Sequence, residues 1–237
     1  MPIKAVAFDW GGTLTPWFDV DLHERWLVFA NLYDSSRAEQ LASDLTTAEY
    51  ARWSHQFDTA GEVGTGAMEA MFHEFGVETT SEKYFIALAA YLKAWEPNTW
   101  TDPEALPLLE ELKGRGIKLA VLSNTMWPRR FHESVLERDG ILHLFDYLLF
   151  TSETVQAKPH RSVFADVLYN LDVAPEEAAF VGDRLFDDIN GAQEVGMRGI
   201  WIPHSKIPAS QSTDLGITPA ATVQKLSEIA DLITKWN

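Results

Sequence analysis

Short apolar runs alternate along this chain with longer segments in which apolar residues recur every three or four positions. Five runs have the length and continuous hydrophobicity typical of strands buried on both faces of a sheet: residues 3–8, 118–122, 147–150, 178–181 and 199–202. Helices are predicted between them over residues 102–114, 161–171 and 187–196. This alternation predicts an α/β fold, with a Rossmann-like, doubly wound parallel sheet at its core.

The segment of residues 16–98 has a different pattern, with no run typical of a buried strand. Several of its apolar residues follow helical spacing, among them Leu22, Trp26, Phe29 and Leu32. A glycine cluster follows at Gly61, Gly64 and Gly66, which predicts a loop between two helical hairpins. We therefore expect residues 16–98 to form an α-helical insertion, and residues 1–15 and 99–237 to form the sheet domain.

Composition narrows the possible functions. A chain of 237 residues, with 46% hydrophobic and 23% charged side chains, is typical of a folded globular protein. The net charge of -16 opposes binding to nucleic acid and to anionic membrane surfaces. The absence of cysteine excludes disulfides and cysteine nucleophiles. With no signal-peptide pattern and no apolar run long enough to span a membrane, we expect a cytoplasmic enzyme, either a monomer or a homodimer.

Residues that could bind or react with a ligand follow the carboxyl ends of the predicted strands, where open α/β sheets bind their ligands. They are Asp9, Gly11, Gly12 and Thr13 after the first strand, Ser123 and Asn124 after the second, Lys158 after the third, and Asp183, Asp187 and Asp188 after the fourth. A carboxylate such as Asp9 can attack phosphorus or carbon. Attack on a phosphate ester would need Mg²⁺ between the anions, held by Asp9, Asp183 and Asp188, with Lys158 neutralising the remaining charge. Ser123 and the amides after Asp9 would bind phosphoryl oxygens.

Four segments, FDWGGTL, VLSNT, AKPH and VGDRLFDDINGAQEVGM, occur in this order. They resemble the four sequence motifs of the haloacid dehalogenase-like superfamily, and the resemblance covers the whole chain. It implies a hydrolase with a Rossmann-like core and an inserted helical cap, in which Asp9 is the nucleophile and Lys158 is the charge-balancing lysine. It also implies a metal site and a phosphoryl site. The metal ligands would be Asp9, Asp183, Asp188 and the Gly11 carbonyl, and the phosphoryl group would contact Gly12, Thr13, Ser123 and Asn124.

The sequence departs from this pattern at Gly11. Phosphatases of the superfamily carry a second aspartate there, which acts as general acid and base, and such proton transfer contributes about 10²- to 10⁴-fold in rate. Phosphonoacetaldehyde hydrolases also lack this aspartate, but they use a cap lysine, and only Lys83 and Lys93 are available in the insertion. Haloacid dehalogenases also lack this aspartate, but they need no metal, and their fourth motif lacks the acidic cluster. The presence of Asp183, Asp187 and Asp188 in this chain therefore argues for a metal and against dehalogenation.

The sequence thus predicts a Mg²⁺-dependent phosphatase that acts on a small phosphorylated metabolite through an aspartyl-phosphate intermediate. Two alternatives stay open: hydrolysis at carbon or at a P–C bond, and a weakly active protein that binds a phosphorylated ligand. The missing acid could be replaced by a side chain, the candidates being Asp19, Asp21, His23, His55 and His160. A substrate with a good leaving group, such as an acyl phosphate, would need less proton transfer.

Overall fold

A parallel β-sheet lies at the centre of the fold. The computed structural model describes residues 1–203 and 216–237. Within those residues the sheet has six strands in the order β3-β2-β1-β4-β5-β6, all pairs parallel. The strands are β1 Ala5–Phe8, β2 Lys118–Ser123, β3 Tyr147–Phe150, β4 Ala178–Gly182, β5 Arg198–Trp201 and β6 Ala221–Thr222. The five predicted strands are confirmed, with ends shifted by at most two residues.

Helices cover both faces of the sheet. The α-helices of the described residues are α1 Leu22–Tyr33, α2 Ala38–Asp58, α3 Met68–Glu74, α4 Glu82–Ala94, α5 Ala105–Gly114, α6 Arg129–Arg138, α7 Arg161–Leu171, α8 Gly191–Glu194 and α9 Ile229–Trp236. Helices α5, α6 and α9 share a hydrophobic cluster with one face, and α7 and α8 share one with the other. The doubly wound α/β prediction is therefore confirmed. No helix in the described ranges is both long and apolar enough to cross a membrane.

Two predicted helix boundaries are wrong. Helix α5 begins at Ala105 and not at residue 102, because the Asp102 side chain accepts a hydrogen bond from the Glu104 amide (2.8 Å) in a turn that precedes the helix. The helix predicted over residues 187–196 is instead a π-helical segment, Leu185–Asn190, followed by α8. Widened turns of this kind occur frequently at functional sites, and this one contains Asp187 and Asp188.

Helices α1 to α4 form a group of their own, called the helical lobe below. Their buried residues make a separate hydrophobic cluster that includes Trp26, Phe29, Leu41, Phe72 and Tyr91. The structure describes every residue of 16–98 and contains no strand there. Helix α1 packs against both α2 and α4, so the second of the two predicted hairpins is wrong: the main partner of α4 is α1, not α3. The predicted loop at the glycine cluster lies between α2 and α3.

Candidate active site

Asp9 and Lys158 form the centre of a buried polar cluster at the carboxyl edge of the sheet. Asp9 directly follows β1, which lies between β2 and β4. The Lys158 Nζ donates to Asp9 Oδ1 at 2.6 Å and to Asp188 Oδ1 at 2.7 Å. All three side chains are buried. Residues that are far apart in sequence thus meet at the sheet edge, as the strand directions predict.

The charges of this cluster depend on one another. Burial raises the pKa of Asp9, although the nearby Lys158 ammonium acts in the opposite direction. Burial alone would lower the pKa of Lys158, but Asp188 and Asp9 outweigh it and raise that pKa. Lys158 therefore stays protonated at neutral pH and holds the two carboxylates together.

Asp183 completes a group of three carboxylates and accepts no hydrogen bond from the described residues. One carboxylate oxygen from each of Asp9, Asp183 and Asp188 lies within 4.8 Å of the other two. Both oxygens of Asp183 are buried and accept no hydrogen bond from that part of the chain. Burial raises the pKa of Asp183 well above its ordinary value. A buried carboxylate normally accepts hydrogen bonds or contacts a cation, and three carboxylates at this spacing supply the oxygen ligands that a hard divalent cation prefers.

Two glycines leave room for the acidic side chains. Gly12 has a positive φ of 90°, and a Cβ at this position would overlap the Asp183 carboxylate. A Cβ at Gly182, the last residue of β4, would overlap the Asp188 side chain. The Asp188 side chain is fixed further because its Oδ2 accepts the Arg184 amide at 2.9 Å.

Of the predicted phosphoryl-binding residues, Thr13 contacts Asp9 directly. The Thr13 Oγ1 donates to Asp9 Oδ2 over 3.4 Å, and Ser123 is the buried last residue of β2. The amide group of Asn124 binds the main chain of Lys158 instead: its Nδ2 donates to the Lys158 carbonyl (3.0 Å) and its Oδ1 accepts the Lys158 amide (2.8 Å). Asn124 therefore holds Lys158 in place, and its contact with substrate stays a prediction.

The space beside Gly11 is open. Apart from Gly11 itself and its two chain neighbours, no heavy atom of the described residues lies within 4 Å of a Cβ built at this position, and the backbone there is outside the left-handed region. A Cβ at Gly11 would thus meet neither steric overlap with the residues packed around it nor backbone strain.

Three of the five candidates for a substitute acid, Asp21, His23 and His160, have other partners. Asp21 caps α1 by accepting the His23 and Glu24 amides, and the His23 ring is 3.4 Å from a Glu39 carboxylate oxygen. His160 caps α7, and its Nε2 lies 3.0 Å from Glu62. The remaining two candidates, Asp19 and His55, are exposed. The structure therefore singles out none of them as a proton donor.

Sequence reasoning missed Arg184 as a member of the site. Its guanidinium lies 5.3 Å from the centre of the Trp17 ring and 3.5 Å from Asp187. Burial acts to lower its pKa, but the surrounding carboxylates, Asp183 first, raise it. Burial in turn raises the pKa of Asp187 to about 6. The sequence feature that could have indicated Arg184 is its position directly after Asp183 in the fourth segment.

Sequence reasoning also missed the buried His132 behind the loop after β2. Its Nε2 lies 3.0 Å from the Thr125 Oγ1, and its ring stacks on Phe150 with the centres 4.4 Å apart. The Trp10 ring packs against it edge-on, so this tryptophan serves as core packing beside Asp9. Burial lowers the pKa of His132 to about 3, and the ring is neutral at physiological pH.

Comparisons with known proteins agree with this geometry. The family model of haloacid dehalogenase-like hydrolases matches residues 3–196. A glyceraldehyde 3-phosphate phosphatase of Methanopyrus kandleri is 25% identical over 98% of this chain and 97% of its own length. A ribulose-1,5-bisphosphate 5-phosphatase of Halopiger xanaduensis is 30% identical over 97% of this chain and 99% of its own.

Similarity of fold extends to enzymes of another specificity. A 2-haloacid dehalogenase from Pseudomonas syringae pv. Tomato DC3000 superimposes with a TM-score of 0.65 over 99% of this chain and all of its own, at 24% identity. At that identity the likeness concerns the fold alone. The reaction has to be argued from the residues of the site.

Proposed function

The chain belongs to the haloacid dehalogenase-like hydrolases, and on that premise we propose that it is a Mg²⁺-dependent phosphatase with Asp9 as its nucleophile. The observation that carries this proposal is Asp183, whose two buried oxygens lack a hydrogen-bond partner in the described residues and lie near two further carboxylates. Hydrolysis at carbon by a metal-free dehalogenase has no use for such a cluster. A phosphatase needs it, because its nucleophile and its substrate are both anions.

The residues present fit a hard divalent cation. We propose that Asp9, Asp183, Asp188 and the Gly11 carbonyl hold Mg²⁺, which when bound supplies charge neutralisation and orientation of the substrate. Within the described part of the chain, four carboxylates, Asp9, Asp183, Asp187 and Asp188, face two cations, Lys158 and Arg184. With all four carboxylates ionised, the site carries a net charge of minus two and is unsuited to a phosphate dianion until a divalent cation balances it.

The protein's own residues orient the nucleophile. Lys158 holds one oxygen of Asp9 and Thr13 contacts the other, so the carboxylate is fixed before substrate arrives, which lowers the entropic part of the barrier. An Asp9 oxygen then forms a bond to phosphorus while the ester P–O bond breaks and the leaving group departs with its electron pair. Water subsequently attacks phosphorus, which releases phosphate and restores Asp9.

The relatives support a phosphorylated metabolite as the substrate, whereas the preference for a stable leaving group rests on Gly11 alone, because the esters named for the relatives are alkyl phosphates. Without a positioned acid in the described structure, the leaving group departs with little protonation, which favours acidic leaving groups such as those of acyl or aryl phosphates. Both relatives named above carry a phosphorylated small molecule in their names. We propose that the substrate is a small phosphorylated metabolite with a stable leaving group, and that the protein acts in the cytoplasm.

The helical lobe is proposed to act as the cap over this site, with its boundaries at residues 16–98. One observation that supports this role is the contact between Phe57 at the end of α2 and Phe186 in the π-helical segment, with ring centres 5.8 Å apart. Another is the loop between α2 and α3, whose main chain is hydrogen-bonded to Ala157 beside Lys158. Substrate specificity would then depend on the lobe residues that border the opening beside Gly11.

Hydrolysis of an aryl phosphate, measured with Mg²⁺ and with a chelator, tests the proposal. We expect Mg²⁺-dependent release of phosphate by the wild-type protein and none by Asp183→Asn, which has the same size but lacks the charge. Equal rates in Mg²⁺ and in chelator would contradict the metal site. Release of halide from a 2-haloacid in chelator, without phosphatase activity, would establish the dehalogenase alternative.

A further inference from the structure

The loop between α2 and α3, residues 59–67, contacts the core immediately before Lys158 and is called the 59–67 loop. The Gly64 amide donates to the Val155 carbonyl, and the Ala157 amide donates to the Gly61 carbonyl, each over 2.8 Å. Two reciprocal main-chain hydrogen bonds thus join the helical lobe to the three residues that precede Lys158. Main-chain bonds of this kind fix the path of both segments.

The same region of the lobe also contacts the segment after β2. The Thr65 Oγ1 donates to the Thr125 carbonyl over 3.5 Å, and the Met68 amide donates to the Met126 carbonyl over 3.1 Å. Thr125 is the residue after Asn124, whose amide group holds the main chain of Lys158. The lobe is therefore bonded to both of the segments that determine where Lys158 lies.

Gly61 permits this close approach. Its φ is +75°, and an added Cβ would overlap the Ala157 carbonyl oxygen and stand 2.9 Å from the Lys158 carbonyl carbon. Gly66 in the same loop has a similar φ of +69°, yet apart from Gly66 itself and its two chain neighbours no atom of the described residues lies within 4 Å of its added Cβ. A side chain at either glycine would meet similar backbone strain, but only a side chain at Gly61 would also collide with the core.

The segment that the loop contacts is exposed at one end and buried at the other, where Ala157 is 0% exposed. Val155 is 72% exposed, and within the segment the Thr154 Oγ1 donates to the Gln156 carbonyl at 2.6 Å. On the inner side, Asn124 binds Lys158. Between these supports, Lys158 has to place its Nζ within hydrogen-bond distance of both Asp9 and Asp188, a geometry that tolerates little displacement of its main chain.

We propose that the 59–67 loop positions Lys158, with Gly61 as the positioning residue. Docking of the loop onto residues 155–157 fixes the main chain from which the lysine reaches Asp9 and Asp188. The consequence for catalysis rests on the proposed function, since only there does Lys158 orient the nucleophile. A misplacement of about 1 Å at a distance from the chemistry can lower a rate by about 10²-fold.

The contact between Glu62 and His160 does not explain the docking by itself. Glu62 has a side chain that is 65% exposed, and exposed ion pairs contribute little because water and salt screen them. The docking depends on the main-chain bonds and on the absence of a side chain at Gly61. This distinction makes Gly61 the residue to change.

A pair of glycine substitutions tests the proposal. Gly61→Ala and Gly66→Ala carry the same backbone strain, but only the first introduces a Cβ that overlaps Ala157. For Gly61→Ala relative to Gly66→Ala we expect faster exchange of the Gly64 and Ala157 amide hydrogens. We also expect kcat on an aryl phosphate to fall at least about tenfold with little change in KM, because Lys158 is misplaced without loss of substrate binding. If Gly61→Ala does not fold, Gly64→Ala is the milder variant, since its Cβ would be 3.3 Å from the Val155 carbonyl.

A second measurement follows Lys158 without relying on activity. Brief treatment with acetic anhydride, followed by mass spectrometry, reports the reactivity of Lys158 relative to the exposed Lys4. The buried, ion-paired Lys158 should be protected in the wild type and in Gly66→Ala, and labelled several-fold faster in Gly61→Ala. Equal labelling in the two folded variants would overturn the proposal, whatever their activities. If no variant, including the wild type, hydrolyses phosphate esters, the proposed function fails while the labelling still decides whether the loop positions Lys158.

Discussion

The molecule buries carboxyl groups in two regions, and these groups differ in their hydrogen-bond partners. In the helical lobe, Glu49 accepts hydrogen bonds from the indole N–H groups of Trp26 at 2.8 Å and Trp53 at 3.5 Å. At the sheet edge, Asp183 has no hydrogen-bond partner among the described residues and lies against two other carboxylates. Burial raises the pKa of both side chains. The first is a satisfied polar group in a packed core, and the second is in an arrangement that a cation would complete.

This difference shows how a functional acid can be told from a structural one. Depth of burial does not separate the two, because both side chains are buried. What separates them is the supply of hydrogen-bond donors: two indole N–H groups bind Glu49, whereas Asp183 accepts no hydrogen bond from the described residues and lies near the carboxylates of Asp9 and Asp188 as well as the Arg184 cation. Repulsion among buried like charges is unfavourable, and folds keep such arrangements mainly at sites that perform chemistry.

The largest expected effect is the loss of turnover on changing Asp9 to Asn. The amide is nearly the same size but is not a nucleophile, so kcat should fall by on the order of 10⁴-fold or more while the fold is retained. The matched change in the other region, Glu49→Gln, should leave kcat within about twofold because its side chain contacts tryptophans and lies outside the site. Steady-state kinetics and circular dichroism check both. Near-normal activity of the Asp9 variant would remove this residue from the mechanism.

Binding of Mg²⁺ should raise the Tm of the protein through the carboxylates at the sheet edge. At a hundredfold excess over Kd, a ligand of the native state alone stabilises it by about 2.7 kcal/mol, which is roughly 5–10 °C in Tm for a domain of this size. Asp183→Asn should abolish this shift and raise the Tm of the metal-free protein, since a buried charge is removed. Thermal unfolding with and without Mg²⁺ measures both effects. An unchanged Mg²⁺ shift in Asp183→Asn would show that the ion binds elsewhere.

Restoring a carboxyl group at Gly11 should change the leaving-group dependence of the rate. The position has room for a side chain, so Gly11→Asp is expected to improve kcat/KM for alkyl phosphates by about tenfold relative to aryl phosphates, a small part of what a positioned acid supplies. Gly11→Asn is the control with the same shape and no proton to give. Equal changes for both substrate classes in a folded, metal-binding Gly11→Asp protein would mean that proton supply does not limit the reaction.

The smallest effect concerns the pH dependence of stability at Glu49. Its pKa is raised in the folded state, so the folded protein binds this proton more tightly than the unfolded chain does. The stabilisation from that proton is present below the unfolded pKa and is lost as the pH rises through the folded pKa. Glu49→Gln should remove this loss, so its free energy of unfolding should change less than that of the wild type as the pH rises. Urea unfolding at a pH below the ordinary pKa of glutamate, about 4.3, and at mildly alkaline pH measures the difference. A variant that loses more stability than the wild type between the two conditions would contradict the assignment.

Much of the sheet and its polar edge could be predicted from the sequence, because continuous apolar runs indicate buried strands and parallel strands end at one edge. That reasoning places Asp9, Lys158 and Asp188 together, as observed. The sequence does not indicate β6, which has only two residues and depends on pairing with β5. Nor does it indicate that the amide of Asn124 binds Lys158, because this bond depends on how two loops approach each other.

The helical lobe was less predictable than the sheet. Its helices follow from apolar periodicity, but their partners do not, and α1 packs against α4 through contacts between segments that are far apart in the sequence. The π-helical turn around Asp188 is likewise a product of its surroundings: Gly182 leaves the space, and the Arg184 amide binds the carboxylate. Local propensity cannot foresee such tertiary constraints.

Chemical trapping of Asp9 during turnover tests the central claim most directly. Sodium borohydride reduces an aspartyl phosphate to homoserine, so the wild-type protein turning over an aryl phosphate in Mg²⁺ should acquire homoserine at residue 9, as located by tandem mass spectrometry. Asp9→Asn, and the wild type in chelator, should remain unmodified. Continued turnover with an unreduced Asp9, together with reduction at another carboxylate, would contradict the account.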